Sequence, residues 1–167
     1  MSDEDTEKRD PAAVSFDVFY SSEHNRLVAL AVALCGSSTV AEDVVQDAFV
    51  AAFDQWERID HPDAWIRAVV ANRASSLFRR RALEARKLLL GVAPDASAEP
   101  ELYRQVDELW SEVRKLPKRQ AQAVALRYVD GASLAEIAGI LGVSENTVKT
   151  HLQRAKRALA VHREVQP

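Results

Sequence analysis

Apolar residues recur at helical spacing along most of the chain. Phe16, Phe19, Tyr20, Leu27, Leu30, Ala31 and Leu34 lie on one stripe, which Gly36-Ser37-Ser38 ends. Ala41, Val45, Ala48, Phe49, Ala52, Phe53 and Trp56 form a second stripe. A third carries Trp65, Ile66, Val69, Val70 and Leu77, with Pro62 in its first turn, where a missing N–H costs nothing. The basic run Arg79-Arg80-Arg81 follows on the same helix. No stretch sustains two-residue alternation, and Ala, Leu, Glu and Arg dominate between the sparse breakers, so the pattern predicts an all-α fold.

The periodicity fails once. Gly91-Val92-Ala93-Pro94-Asp95-Ala96-Ser97-Ala98-Glu99-Pro100 reads as a flexible linker. Leu88-Leu89-Leu90 before it is apolar for a connection, and either ends the third helix or docks on another surface. Beyond it, Val106, Leu109, Trp110, Val113 and Leu116 mark a fourth helix halted by Pro117. A fifth runs from about Lys118 to Val129 and stops at Asp130-Gly131. The expected organisation is a disordered acidic tail over 1–12, a helical domain over 13–90, a linker over 91–104 and a second helical domain over 105–163.

The second domain holds the most specific pattern. Ser133-Leu134-Ala135-Glu136 has the form of a capping box opening a short helix through Leu141. Gly142-Val143 turns the chain, and Ser144 is a good N-cap for a last helix reaching about Val161. A small Ala138, the turn at Gly142 and an inward Val148 have helix-turn-helix spacing. If Val148, Leu152, Ala155 and Leu159 face inward, then Glu145, Asn146, Lys149, Thr150, Gln153, Arg154 and Arg157 face outward. Lys and Arg suit phosphates or guanine edges, and Asn, Gln and Thr suit base edges, so this face fits a recognition helix for duplex DNA.

Net charge at first argues otherwise, because the chain totals −3. That total conceals a split. Residues 1–60 hold 13 acidic and 4 basic side chains, a balance of −9, while residues 61–167 hold 12 acidic and 18 basic, a balance of +6. Seven basic groups fall between Trp65 and Leu90 (Arg67, Arg73, Arg79, Arg80, Arg81, Arg86, Lys87) and five between Ser144 and Arg163. The acidic surface of the second helix (Glu42, Asp43, Asp47, Asp54, Glu57) would repel DNA and suits a basic protein partner.

Other chemistry lacks its parts. The four histidines show no metal-ligand spacing with Cys35 or one another, and no glycine-rich phosphate loop or nucleophile elbow is present. The expectation is a non-enzyme with no cofactor and no metal. Cys35 reads as a small packed residue, with a redox sensor as the alternative. No apolar run approaches the ~20 residues of a membrane span, the start Met1-Ser2-Asp3-Glu4-Asp5 is unlike a signal peptide, and a single cysteine fits a reducing cytoplasm.

Several of these segments resemble a known family. Leu116-Pro117, Ala125-Leu126-Arg127-Tyr128, Gly131, Glu136-Ile137-Ala138, Leu141-Gly142-Val143-Ser144, Thr147-Val148-Lys149 and Arg154-Ala155-Lys156-Arg157-Ala158-Leu159 resemble region four of bacterial sigma factors. Ala41-Glu42-Asp43-Val44-Val45-Gln46-Asp47-Ala48-Phe49 looks like the polymerase-binding helix of region two, and Trp65-Ile66-Arg67, Asn72 and Arg79-Arg80-Arg81 look like its promoter-melting segment. Two domains with a short linker are similar to the extracytoplasmic-function class.

The resemblance implies a dissociable initiation subunit. Glu42, Asp43, Gln46, Asp47 and Phe49 would bind the clamp of the largest polymerase subunit, and the flap of the second-largest subunit would be a further contact. Asn72, with Arg67, Arg73, Arg79, Arg80 and Arg81 on phosphates, would meet the minus-ten element. Ser144, Asn146, Lys149, Thr150, Gln153, Arg154 and Arg157 would meet the minus-thirty-five duplex. An anti-sigma factor is a further partner the family admits. Two departures from the family stand out: Ser76, where aspartate is frequent, and Thr150-His151 in place of Ser-Arg. Thr147-Val148-Lys149-Thr150-His151 is also common in LuxR-type regulators, which expect an upstream receiver domain of alternating strands and helices, so a LuxR-type or freestanding helix-turn-helix regulator is the second reading. A sigma-like mimic that binds an anti-sigma factor without reading DNA is a third reading.

Overall fold

The computed structural model describes residues 14–88 and 101–164. The proposed tail over 1–12, Leu89 and Leu90, and linker residues 91–100 lie outside the described residues. Among the described residues seven α-helices follow one another: α1 (Phe16–Cys35), α2 (Ser38–Asp54), α3 (Pro62–Leu88), α4 (Glu101–Lys115), α5 (Lys118–Tyr128), α6 (Leu134–Leu141) and α7 (Glu145–Glu164). Among the described residues there is no strand, as the absence of alternation requires. Helix α4 starts at Glu101, inside the span assigned to the linker, and α3 runs through Leu88, whose side chain is exposed.

Local chemistry explains the helix ends. Ser15 and Ser37 open α1 and α2 by accepting hydrogen bonds from the N–H groups of Val18 and Val40. Gly36 closes α1 in the left-handed region, at φ 75°, where an L side chain would be strained. Pro62 is the first residue of α3. The second helix ends earlier than its apolar stripe predicts. It stops at Asp54, and Trp56 begins a single 3₁₀ turn, Trp56–Arg58, that swings the indole onto Phe16 and Phe19, with ring centroids 5.3 and 5.1 Å away.

Helices α1, α2 and α3 pack together as the first unit. Leu27, Leu30 and Ala31 of α1, Ala41, Val45 and Ala48 of α2, and Ile66, Val70, Ala71 and Ala74 of α3 are fully buried. The alanines let the helix axes approach closely, while the branched residues fill the space between them. Phe16, Phe19, Tyr20, Phe49 and Trp56 close one end, mostly in edge-on and tilted pairs.

Helices α4 to α7 form the second unit around α5. Six consecutive residues of α5, Ala121 through Leu126, are buried. A helix covered on all sides needs neighbours on all sides. Helices α4, α6 and α7 cover part of α5, and α1 and α3 of the first unit cover the rest. The two units therefore share one continuous core.

Candidate nucleic-acid interface

The helix-turn-helix is built as its spacing predicts. The Ser133 hydroxyl accepts from the Glu136 N–H at 3.1 Å, and the Glu136 carboxylate accepts from the Ser133 N–H at 2.6 Å. That backbone hydrogen bond holds the Glu136 carboxyl below its ordinary pKa. Gly142 takes φ 66°, and the N–H of Val143 donates to the carbonyl of Ala138 at 3.0 Å, so the chain turns sharply behind α6. The Ser144 hydroxyl then accepts from the Thr147 N–H at 3.1 Å and opens α7.

On α7, Val148 and Ala155 are fully buried, with Leu152 and Leu159 packed beside them. Asn146, Lys149, Thr150, Gln153, Arg154 and Arg157 are all exposed on the opposite stripe. Two of the polar groups are partly committed. Ser144 holds the cap and shares a 2.9 Å hydrogen bond with the Thr147 hydroxyl, and the Thr150 hydroxyl donates to the Asn146 carbonyl at 3.0 Å. Thr150 is left as an acceptor, while Asn146, Lys149, Gln153 and Arg154 keep exposed side-chain polar groups. His151 sits at the edge of this stripe, half-buried, with Nδ1 unpaired; burial first, then Arg154 and Arg119, push its pKa down.

The third helix divides its basic residues. Arg73, Arg79, Arg80 and Arg81 are exposed, with Arg73 3.8 Å from Asp47 and Arg80 3.7 Å from Glu84. Arg67 departs from the expectation that it binds DNA phosphate. It stands one turn before Val70 and Ala71, on the edge of the stripe that packs inward, and its side chain is only 8% exposed. Its Nη2 donates to Glu23 at 2.6 Å, and its Nε donates to Asp130 of the second unit at 2.8 Å. Burial opposes its charge, yet the hydrogen bond and charge of Asp130, joined by Glu23, outweigh it and hold its pKa above the ordinary arginine value. Asn72 lies on the exposed side, but its side-chain Oδ1 accepts from the side-chain amide of fully buried Gln122 at 3.0 Å.

The second helix presents a continuous acidic edge. Glu42, Asp43, Gln46, Asp47 and Asp54 are exposed, and so is Glu57 in the following turn. Phe49 is not part of that edge. It is 2% exposed, clasped by Phe16, Phe19 and Tyr20, so it supports the surface from beneath. Phe53, counted with the buried stripe by its spacing, is instead 65% exposed beside exposed Val50. Trp65 packs against the core and Cys35 is buried, its thiol donating to the Ser37 carbonyl at 3.3 Å.

The contacts between units had no local signature. Glu23, Arg26, Asp130 and Gln122 look like ordinary helix-surface or turn residues in sequence; only Gln122, set among Ala121, Ala123, Val124 and Ala125, interrupts an apolar run. Arg114 reaches from α4 to the end of α1, where Nη1 donates to the Ala33 carbonyl at 3.2 Å. Helix α1 has no basic residue in its own last turn, so this guanidinium serves its negative end. Among the described residues no group of three or more His, Cys, Asp or Glu side chains could hold a metal, and no helix is long and apolar enough to cross a membrane.

The sequence matches two family models in chain order. Residues 19–84 match Sigma-70 region 2, and residues 107–159 match Sigma-70, region 4. The chain is 30% identical over 151 residues to the ECF RNA polymerase sigma factor SigM of Mycobacterium tuberculosis (strain ATCC 25618 / H37Rv), covering 87% of this chain and 76% of that protein. It is 29% identical over 147 residues to an RNA polymerase sigma-E factor of Streptomyces avermitilis, covering 85% and 81%. Its fold matches that of the sigma factor RpoE in complex with the anti-sigma factor NepR from Bartonella quintana, with a TM-score of 0.62, 22% identity, and 89% and 98% coverage.

The two helical units are thus sigma-70 regions 2 and 4. The chain belongs to the ECF family of RNA polymerase sigma factors, non-catalytic proteins that act in transcription initiation by binding core RNA polymerase and promoter DNA. The region 2 match, over helices rather than a receiver domain, removes the LuxR-type reading.

Proposed function

We propose that this chain reads both elements of its promoter, the minus-thirty-five duplex through α7 and the unpaired minus-ten strand through α3. The observation that carries this reading is the single stripe Asn146, Lys149, Thr150, Gln153, Arg154 and Arg157, exposed opposite the buried Val148 and Ala155. Arg157 and the α7 N-terminus suit phosphates, and the other five suit base edges. On α3, Arg73, Arg79, Arg80 and Arg81 supply backbone charge, and Asn72 is the candidate for an unstacked base.

The acidic edge Glu42, Asp43, Gln46 and Asp47 is the proposed contact with the clamp of the largest polymerase subunit, and region 4 the contact with the flap of the second-largest. Exposed Val50 and Phe53 extend that edge with apolar area, which an interface core favours over charge alone. The cytoplasm is the site of action that goes with these partners. An anti-sigma partner is also proposed, since the fold neighbour RpoE is held in complex with one.

Run-off transcription with core polymerase and a cognate promoter tests the reading. A promoter-dependent transcript that vanishes when the minus-ten or minus-thirty-five element is scrambled is expected. A well-folded chain giving no such transcript would overturn it.

A further inference from the structure

The last turn of α1, the middle of α3, the end of α4 and the start of α5 converge on a small crevice. Ser75 and Arg79 of α3, Arg114 of α4 and Lys118 of α5 line it, with Leu34 and Leu116 as apolar wall. Its enclosed space is about 10 Å³, room for one water-sized group. Arg79, Arg114 and Lys118 bring three cations to this space. Among the described residues no ion pair joins any of the three to a carboxylate, although acidic groups stand beside Arg67, Arg73 and Arg80.

Two demands in this crevice are unmet. Arg114 is held in place: Nη1 donates to the Ala33 carbonyl at 3.2 Å, Cζ lies 6.0 Å from the centre of the Phe78 ring, and a Cβ at Gly36 would stand 3.0 Å from Cζ. Among the described residues that is its one hydrogen bond, so four of the five guanidinium N–H donors are left over. Burial pushes its pKa below the ordinary arginine value, and the charge of Asp107 offsets this only in part. Ser75 makes the second demand. It is 5% exposed and its hydroxyl has no hydrogen-bond partner, whereas buried hydroxyls ordinarily have one. Lys118 Nζ donates to the Ser76 hydroxyl at 3.3 Å and keeps two N–H groups. Helix α5 begins at the same corner, behind Pro117, with no side-chain cap, so the positive end of its dipole adds to the charge.

We propose that this crevice binds a small tetrahedral oxyanion with the chemistry of inorganic phosphate or sulfate. One oxygen enters the enclosed space and accepts from the Ser75 hydroxyl. The others stay at the mouth, where Arg114, Lys118 and Arg79 supply donors and counter-charge, so one ligand meets both demands. Water would satisfy the hydroxyl and leave the cations uncompensated. Chloride would offer charge without four separately directed acceptors. The free ion fits better than a link in a nucleic-acid backbone, whose two flanking sugars would crowd a mouth that leads to so small a space. The site stands whether or not α3 reads the minus-ten strand.

The test titrates the full chain with sodium phosphate at fixed pH, with ionic strength held constant by sodium chloride, and follows backbone amides by NMR. Saturable shifts centred on Ser75, Arg114 and Lys118 are expected, with a dissociation constant on the order of 1 mM, and sulfate should compete. Ser75→Ala removes a hydrogen bond to a charged ligand and should weaken binding about tenfold or more. Lys118→Gln removes one half-exposed charge and should weaken it about threefold. Circular dichroism checks that both variants keep their helix content, and Lys118→Gln decides the matter if Ser75→Ala does not fold. Shifts that chloride reproduces, that never saturate, or that survive the substitutions in folded protein would each overturn the site. So would shifts at these residues produced by a short single-stranded oligonucleotide and not by phosphate, which would make the crevice part of a nucleic-acid surface.

Discussion

The side-chain amide of Gln122 donates a hydrogen bond to the side-chain Oδ1 of Asn72 at 3.0 Å, joining residues 50 positions apart. The two ends of this bond differ. Gln122 is fully buried and also receives Arg119 Nη1 at 3.3 Å, whereas Asn72 opens to solvent. Water replaces a lost partner at Asn72 but cannot fill the space left by Gln122. Gln122→Ala is expected to cost about 2 kcal/mol of stability, and Asn72→Ala about 0.5 kcal/mol. Urea unfolding of both variants checks this, and equal losses would contradict it.

A sharper contrast is expected among the arginines of α3. Arg67→Ala strands Asp130 and Glu23, one of them almost fully buried, and should cost about 3–5 kcal/mol. Arg73→Ala breaks only an exposed 3.8 Å pair with Asp47 and should cost less than about 1 kcal/mol. Thermal or urea melts of the two side by side measure the difference. If Arg67→Ala were as mild as Arg73→Ala, the guanidinium would be facing solvent rather than Asp130.

On the recognition helix, substitutions separate base contacts from scaffolding. Arg154→Ala or Lys149→Ala should cost about 1–3 kcal/mol of binding to the preferred duplex if the side chain meets a base edge, and relax selection at one position. Ser144→Ala should instead cost about 1 kcal/mol of folding stability through the lost cap and leave sequence preference unchanged. Competition binding with duplexes substituted at single positions distinguishes the two classes.

The partner surface gives an opposite pattern. Asp47→Ala removes an exposed carboxylate from the acidic edge of α2 without touching the core. It should weaken binding to core polymerase, with a larger effect at low salt, and leave duplex DNA binding unchanged. Loss of DNA binding with polymerase affinity intact would reverse the assignment of this face.

His151 makes stability depend on pH. Its folded pKa is lowered by burial and by Arg154 and Arg119, so the unfolded chain binds the proton more readily than the folded one. The neutral form's contribution is therefore present above the unfolded value of about 6.5 and is lost as pH falls toward the folded value. Wild type should lose stability between about pH 7 and 5 more steeply than His151→Gln. Melts of both chains across that range test the sign, and parallel curves would refute it.

Most helix boundaries were legible because caps and breakers act locally. Gly36 with Ser37, Pro62, Ser133 with Glu136, Gly142 and Ser144 each act on backbone groups within four residues, so their positions alone place ends of α1, α2, α3, α6 and α7. The outward face of α7 was legible for a similar reason. Four apolar residues at helical spacing assign the opposite stripe to solvent, provided something packs on the apolar one.

What tertiary structure decided was the identity of the cover. Periodicity gives a residue's angle around its helix and says nothing about what stands in that direction. Phe49 and Phe53 are one turn apart on α2, yet the first is enclosed by Phe16, Phe19 and Tyr20 and the second opens to solvent. Arg67 carries the charge of a DNA ligand, but Glu23 and Asp130, brought from 44 and 63 positions away, take its hydrogen bonds. The residue types and their spacing thus determined two helical units and the exposed polar face of α7. Only the packing of α5 against α1 and α3, a long-range burial with no local code, determined which of the basic and polar groups remain free to meet DNA.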